Sequence, residues 1–331
     1  MPRDMMPNFE LLQPATLDDA LGVLERRGGE IWKMAGGYDS LGWFKDRVKR
    51  PAAVMDLSGL AELKGVRETA GGVAIGALTT LTEIERHPVI RERYRVLADA
   101  AGWVASPQIR NAGTLGGNVG QDTRCWYYRY GLDCYRAGGN TCYADTPAGM
   151  NREHAILEAD RCVAVTPSDT APALVALEAE MVLRSASGER VVAAEDFFIG
   201  PAVDITRMTV AEPEELLTEI RIPAKWAGAK SYFEKVADRN TWDFALVNVA
   251  SVVKVGGDGT IEDARVVCGG VACTPYNVAV AAEVVRGSPQ NEETARLAAK
   301  VSSRGARPLN YNHFKVPLME NLVARAIRDA A

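Results

Sequence analysis

No stretch of the chain is apolar for long enough to cross a bilayer. The longest, Phe244 to Val253, is interrupted by Asn248 and closed by Lys254, well short of the roughly 18 to 20 residues that a helical span requires. Met1 to Phe9 carries Arg3, Asp4 and two prolines around no apolar core, so it does not read as a cleaved leader, and the expected compartment is the cytoplasm. Basic clusters are missing too. The net charge is -5, and no Lys/Arg block with interleaved aromatics occurs, which removes the electrostatic footprint of a nucleic-acid binder. Six cysteines in 331 residues are too few for a disulfide scaffold. His87, His154 and His313 lie far apart, and there is no His-Glu-x-x-His, nucleophile elbow, G-x-G-x-x-G or Walker A sequence. Zincin, hydrolase-triad, Rossmann and P-loop chemistries therefore lack their parts.

The remaining composition, 47% hydrophobic and 24% charged, is that of an ordinary globular chain. Its length suggests two or three domains of about 100 to 200 residues each. Thr16 and Asp19 form a capping-box pattern before Leu17, Ala20, Leu21 and Leu24, which predicts a helix to about Arg27. Ile31 to Ala35 and Val54 to Asp56 read as strands, making a small first α/β unit. Beyond Gly59 the pattern predicts a strand at Val73 to Ala77, a short helix at Thr82 to Arg86 and a longer one from Arg91 to Trp103. A hairpin is expected around Ser187-Gly188, and a strand from Thr218 to Ile222 ends at Pro223, a candidate boundary. Strands at Ser231 to Val236, Phe244 to Val255 and Thr260 to Cys268 follow, then a helix opened by Thr274-Pro275 and stopped by Gly287.

Two loops and one long stretch carry chemical potential. Lys33 to Leu41 passes from a strand into Ala35-Gly36-Gly37-Tyr38-Asp39-Ser40; its glycine pair permits backbone N–H groups to approach an anion, although such a pair also serves as a plain turn. Thr114-Leu115-Gly116-Gly117-Asn118 is a second such loop. At one cleft the two would grip a dinucleotide's phosphates without a lysine; apart, they are unrelated turns. Gln121 to Arg161 shows little periodicity, and about forty structureless residues in a compact domain need an explanation. Cys125, Cys134, Cys142 and Cys162 fall in and just after it, separated by eight, seven and nineteen residues. These gaps are too wide for the close pairs of a zinc ribbon, yet suit a cubane iron–sulfur cluster that would order the loop. Four free thiols with aromatic anchors is the other reading. Cys268 and Cys273 read as ordinary thiols, and His154 as packing or hydrogen-bonding in the loop. Asp169, after Ser168, reads by default as a helix cap, and Lys235 either as a solvated strand lysine or as a positive charge beside a reduced cofactor.

Taken together these segments resemble, over nearly the whole chain, the FAD-binding (medium) subunit of the molybdenum hydroxylases, the xanthine dehydrogenase family. In that family an Ala-Gly-Gly loop and a Thr-Leu-Gly-Gly-Asn loop hold the FAD pyrophosphate, matched by Ala35-Gly36-Gly37 and Thr114 to Asn118. A Ser-Asp pair before a short apolar helix matches Ser168-Asp169, its aspartate contacting the flavin's polar chain. Lys235, Arg239 and Asp243-Phe244-Ala245 match a later pattern whose lysine lies near the isoalloxazine. In most members the Ser-Asp element follows the Gly-Gly-Asn loop closely, whereas here the cysteine stretch intervenes. This resembles the subset typified by aldehyde oxidoreductases and 4-hydroxybenzoyl-CoA reductases, whose insertion binds a 4Fe-4S cluster through four cysteines. Asn151-Arg152-Glu153-His154-Ala155 is closer to the aldehyde oxidoreductase type. Tyr38 departs from the Thr or His more usual after the glycine pair.

The resemblance implies an α+β fold: a two-lobed FAD-binding domain of the vanillyl-alcohol oxidase type plus a C-terminal sheet-and-helix domain. The expected divisions are 1–58, 59–224 with the insertion at 121–162, and 225–331. FAD would be bound by Lys33, Met34, Ala35, Gly36, Gly37, Tyr38, Asp39, Ser40, Leu41, Thr114, Gly117, Asn118, Asp169 and Lys235, and the cluster by Cys125, Cys134, Cys142 and Cys162. No catalytic residue is expected. The implied partners are a molybdopterin-containing large subunit, a small subunit with two 2Fe-2S clusters and an external electron acceptor. Periplasmic relatives are exported with a signal-bearing partner, so co-export is a second option for location. The alternatives are a 4-hydroxybenzoyl-CoA reductase-type subunit running reductively, a stand-alone FAD oxidase, and a cofactor-free scaffold or zinc-binding interaction module.

Overall fold

In the computed structural model, which describes residues 6–331, Thr16 accepts from the Asp19 amide and the Asp19 carboxylate accepts from the Thr16 amide. This closed capping box opens the helix Leu17–Arg27. Met1 to Met5, the start of the segment read above for a leader, lie outside the described residues. The apolar stripe of that helix packs on a parallel sheet of β1 (Glu10–Leu12), β2 (Ile31–Met34) and β3 (Ala53–Asp56), ordered β1-β3-β2. Parallel pairing needs crossovers, supplied by Leu17–Arg27 and by a helix at Tyr38–Lys45 that starts directly after the first glycine loop.

The second lobe is an antiparallel sheet of β4 (Val66–Thr69), β5 (Gly72–Gly76), β6 (Glu180–Ser185), β7 (Gly188–Ala193) and β8 (Leu216–Pro223), ordered β4-β5-β8-β6-β7. Val73, Ile75, Met181, Leu183, Ile220 and Ile222 bury one face against Ile84, Leu97 and Leu174 of the covering helices. The helix expected over Arg91 to Trp103 is two helices, Pro88–Arg93 and Arg95–Gly102. Tyr94 leaves the helical region between them (φ -138°, ψ 45°) with its ring buried in the core.

A separate antiparallel sheet follows: β9 (Lys230–Val236), β10 (Val247–Val255), β11 (Ile261–Gly269) and β12 (Tyr276–Asn277), ordered β12-β11-β10-β9. Helices Ala279–Val285, Glu292–Ser302 and Lys315–Arg328 cover its apolar face. Thr274-Pro275 does not open a helix. Tyr276 and Asn277 instead pair with Cys268 and Val267 at the sheet edge, which delays the helix to Ala279.

Among the described residues, Gln121 to Arg161 holds only the short helix Trp126–Arg129 and a 3-10 turn at Tyr135–Ala137. The stretch is tied down at its far end, where the amides of Ile156 and Leu157 both donate to the Val271 carbonyl. It thus runs from the second lobe onto the C-terminal sheet. No helix among the described residues is long and apolar enough to cross a membrane.

Candidate functional site

The two glycine loops meet at one cleft. A Cβ on Gly36 would lie 2.4 Å from the Ala112 carbonyl oxygen, at the approach to the second loop, and one on Gly117 would lie 3.5 Å from the Ala35 Cβ. Gly37 adopts φ +80°, a left-handed geometry suited to glycine. Between the loops lies a cavity of about 460 Å³, of the size that takes an organic cofactor. Ala35 to Ser40, Thr114, Gly117, Asn118 and Asp169 line it.

The loops differ in what they offer. The first bond of helix Tyr38–Lys45 runs from the Leu41 amide to the Gly37 carbonyl, so the amides before it have no intrahelical partner and suit an anion. In the second loop Leu115, Gly116 and Gly117 donate to Thr79 O, Ala77 O and Thr114 Oγ1. That loop contributes close approach more than free donors. Lys33 lines the cleft, but its Nζ donates to the carbonyls of Glu212, Pro213 and Glu215, and burial holds it down to about 8. Met34 and Leu41 flank Gly37 from behind and do not line the cavity. Tyr38 is half exposed and donates to Gln108 O at 3.4 Å; Ser40 Oγ accepts from Trp32 Nε1 at 2.9 Å.

Asp39 faces the cysteine stretch. Its Oδ1 accepts from Arg124 at 2.6 Å and Arg129 at 3.0 Å, and its Oδ2 from Trp43 Nε1 at 3.0 Å. One carboxylate thereby locks the first glycine loop to the segment that carries Cys125.

At the inner end of the cleft, Ser168 and not Asp169 caps the helix Thr170–Ala176, its Oγ accepting from the Ala171 amide at 3.1 Å. Asn118 Oδ1 accepts from Ser168 Oγ at 2.6 Å and Thr170 Oγ1 at 2.7 Å, tying the second glycine loop to this element. Asp169 is left to pair with Lys235 Nζ at 2.6 Å and to accept from Asn248 Nδ2 at 2.9 Å. Burial pushes the Asp169 carboxyl up, against the pull of Lys235 and Asn248. Lys235 also donates to Trp103 O and stands behind Asp169, outside the cavity wall.

A second cavity, of about 590 Å³, shares Arg124, Pro167, Asp169, Trp242, Asp243 and Phe244 with the first and reaches Cys125 and His154. Trp242, Asn248 and Arg124 are site residues that local sequence patterns did not single out. The flagged Asp243-Phe244 pair lies beside Trp242, whose amide donates to Ala105 O at 2.8 Å and docks the loop between β9 and β10 on the second lobe. The Arg124 guanidinium sits 4.7 Å from the centre of the Phe244 ring.

Cys125, Cys134, Cys142 and Cys162 converge on a small void of about 20 Å³, walled by Tyr127, Tyr128, Tyr135 and Tyr143. Among the described residues no group of three or more His, Cys, Asp and Glu side chains is placed to hold a metal ion. Burial pushes the Cys125 thiol up to about 12 and raises Cys162 as well, the latter opposed by Arg136. Arg136 is buried, with Asp122 at 2.6 Å. Cys273, read from sequence as an ordinary thiol, donates to Cys162 O at 3.4 Å; its position beside the four is a tertiary effect with no local signal.

A family described as the FAD binding domain in molybdopterin dehydrogenase matches residues 7–225, and one described as the CO dehydrogenase flavoprotein C-terminal domain matches 230–330. The aldehyde oxidoreductase FAD-binding subunit PaoB of Escherichia coli is 32% identical over 301 residues, covering 90% of each chain. The carbon monoxide dehydrogenase medium chain of Hydrogenophaga pseudoflava is 28% identical over 329 residues, covering 98% of this chain and 97% of that one. A solved structure of that organism's carbon monoxide dehydrogenase, lacking the Mo-pyranopterin moiety of its cofactor, contains a chain that superposes with a TM-score of 0.77 at 28% identity over 98% of both.

Proposed function

This chain belongs to the FAD-binding medium subunits of the molybdenum hydroxylases, and on that premise we propose that it is the electron-transfer subunit of a three-part complex. In this reading FAD lies in the cleft of the two glycine loops and a 4Fe-4S cluster on Cys125, Cys134, Cys142 and Cys162. The partners are a molybdopterin-containing large subunit, where substrate is oxidised, and a small subunit with two 2Fe-2S clusters. The FAD domain spans 1–58 and 59–224, with the cluster insertion at 121–162, and 225–331 forms the C-terminal domain. The likeness to an aldehyde oxidoreductase subunit favours an aldehyde as the substrate of the complex.

FAD and the cluster would supply carriers that exchange single electrons with each other and, at the flavin, electron pairs with an external acceptor. The residues of the chain bind and orient them. Amides of the first glycine loop fit the pyrophosphate, Gly36 and Gly117 let the loops close on it, and Asp169, held by Lys235 and Asn248, offers a fixed polar edge. The donor set fits an iron–sulfur group: four soft thiols line one small apolar void, with aromatic rings to exclude water.

One observation carries the reading: the cavity between the glycine loops shares walls at Arg124, Asp169 and Phe244 with a second cavity that has Cys125 in its lining. The test is anaerobic mixing with an aldehyde, followed at the visible flavin band. The assembled complex should bleach, while the isolated chain with the same aldehyde stays oxidised. Bleaching of the isolated chain would identify a stand-alone oxidase. A complex that responds only to a strong low-potential donor would point to the reductive, 4-hydroxybenzoyl-CoA reductase type.

A further inference from the structure

The segment Asn151–Ala155 is held at every polar position. Asn151 donates to Ala144 O and accepts from the Tyr311 amide. Arg152 makes two 2.7 Å bonds to Asp238, and Glu153 accepts from Trp126 Nε1 at 3.1 Å. The carbonyl of His154 accepts from the fully buried Asn312. These tethers fix the His154 ring, itself 3% exposed, with Nε2 3.2 Å from Cys125 Sγ. Its other nitrogen, Nδ1, is buried without a partner. The sulfur is thus the ring's one polar contact among the described residues.

We propose that His154 is a positioning residue for the cluster reading above, its Nε2–H donating a hydrogen bond to the Cys125 sulfur and raising the reduction potential of the iron–sulfur group. The assignment rests on that reading. An iron-bound thiolate sulfur can only accept, so the proton must sit on Nε2. The free thiol has the reverse option, S–H donating to Nε2, which moves the ring proton to Nδ1 and leaves a buried N–H without an acceptor. The sulfur-accepting arrangement removes that orphaned donor. Reduction adds one electron to the cluster and its thiolates, and an N–H aimed at sulfur stabilises the more negative state.

The test compares the full chain, His154→Leu and His154→Gln, each prepared anaerobically, assayed for iron and titrated by EPR-monitored reduction. At equal iron content, His154→Leu should disfavour reduction about tenfold, 59 mV for one electron, while His154→Gln, which keeps an N–H donor, should stay near the parent. Coincident potentials for the parent and His154→Leu would overturn the assignment. Should His154→Leu fail to load iron, ¹⁵N-histidine labelling of the parent decides by pulsed EPR: a weak ¹⁵N coupling to the reduced cluster supports the hydrogen bond and its absence overturns it. A parent chain that takes up no iron sinks the cluster reading and this assignment with it, an outcome that the iron assay alone separates from the others.

Discussion

Lys235 Nζ lies 2.6 Å from Asp169 Oδ2, with both side chains almost wholly buried at the inner end of the cleft between the glycine loops. Asp169 is free for this because Ser168 takes the helix-capping role. Removing one member of such a pair leaves an uncompensated buried charge, which costs about 3 to 5 kcal/mol. Lys235→Met should lower the urea midpoint accordingly, and adding Asp169→Leu to it should restore much of the loss. A double variant no more stable than Lys235→Met would contradict this account of the pair.

Gly36 has no room for a side chain, its Cβ position being 2.4 Å from a backbone oxygen. Gly36→Ala must therefore push the two glycine loops apart. The expected result is at least a tenfold loss of FAD affinity by fluorescence titration, with the far-ultraviolet spectrum unchanged. Gly29→Ala, where nothing lies within 4 Å, is the control and should bind normally.

Asp39 joins the glycine loop to the cysteine segment through Arg124 and Arg129. In Asp39→Ala the two arginines lose their shared partner, a loss of about 2 kcal/mol for part-buried charge-assisted bonds. Flavin and iron contents should fall together in this variant. Cys134→Ser, by contrast, should lose iron and keep flavin. An Asp39→Ala protein with full iron and depleted flavin would show that the two sites are independent.

Lys315 is fully buried, and among the described residues its Nζ donates only to the Gly270 carbonyl, at 2.6 Å. Burial lowers it from 10.5 to about 7. Between those values the unfolded chain binds a proton that the folded chain does not, so stability rises as pH increases from about 7 to about 10.5. The gain is on the order of 5 kcal/mol. Urea titrations across that range should show the slope, and Lys315→Met should flatten it.

Elements written in local pattern were legible from sequence. Thr16 and Asp19 marked the first helix, the two glycine loops stood out by composition, and the four cysteines announced themselves by falling in a stretch with no periodicity. What local pattern misses is pairing across long separations. Asp39 sits in the glycine loop and lines the cleft as expected, but its ion pairs with Arg124 and Arg129, far along the chain, had no local signal. Lys33 was expected among the FAD-binding residues and lines the cleft, but its ammonium is taken up by the carbonyls of Glu212, Pro213 and Glu215. Thr274-Pro275 had the residues of a helix start, but the unpaired edge of β11 drew Tyr276 and Asn277 into a strand. Tyr94 broke an otherwise helical run because its ring fills the core. The cap moved by one residue, from Asp169 to Ser168, because only tertiary structure supplied Lys235.

In the proposed function one chain carries both a flavin and an iron–sulfur group. Flavin, iron and sulfide counted on the same anaerobic preparation test it most directly. One FAD, about four irons and about four sulfides per chain are expected. Flavin with no iron, after reconstitution with iron and sulfide, would contradict it.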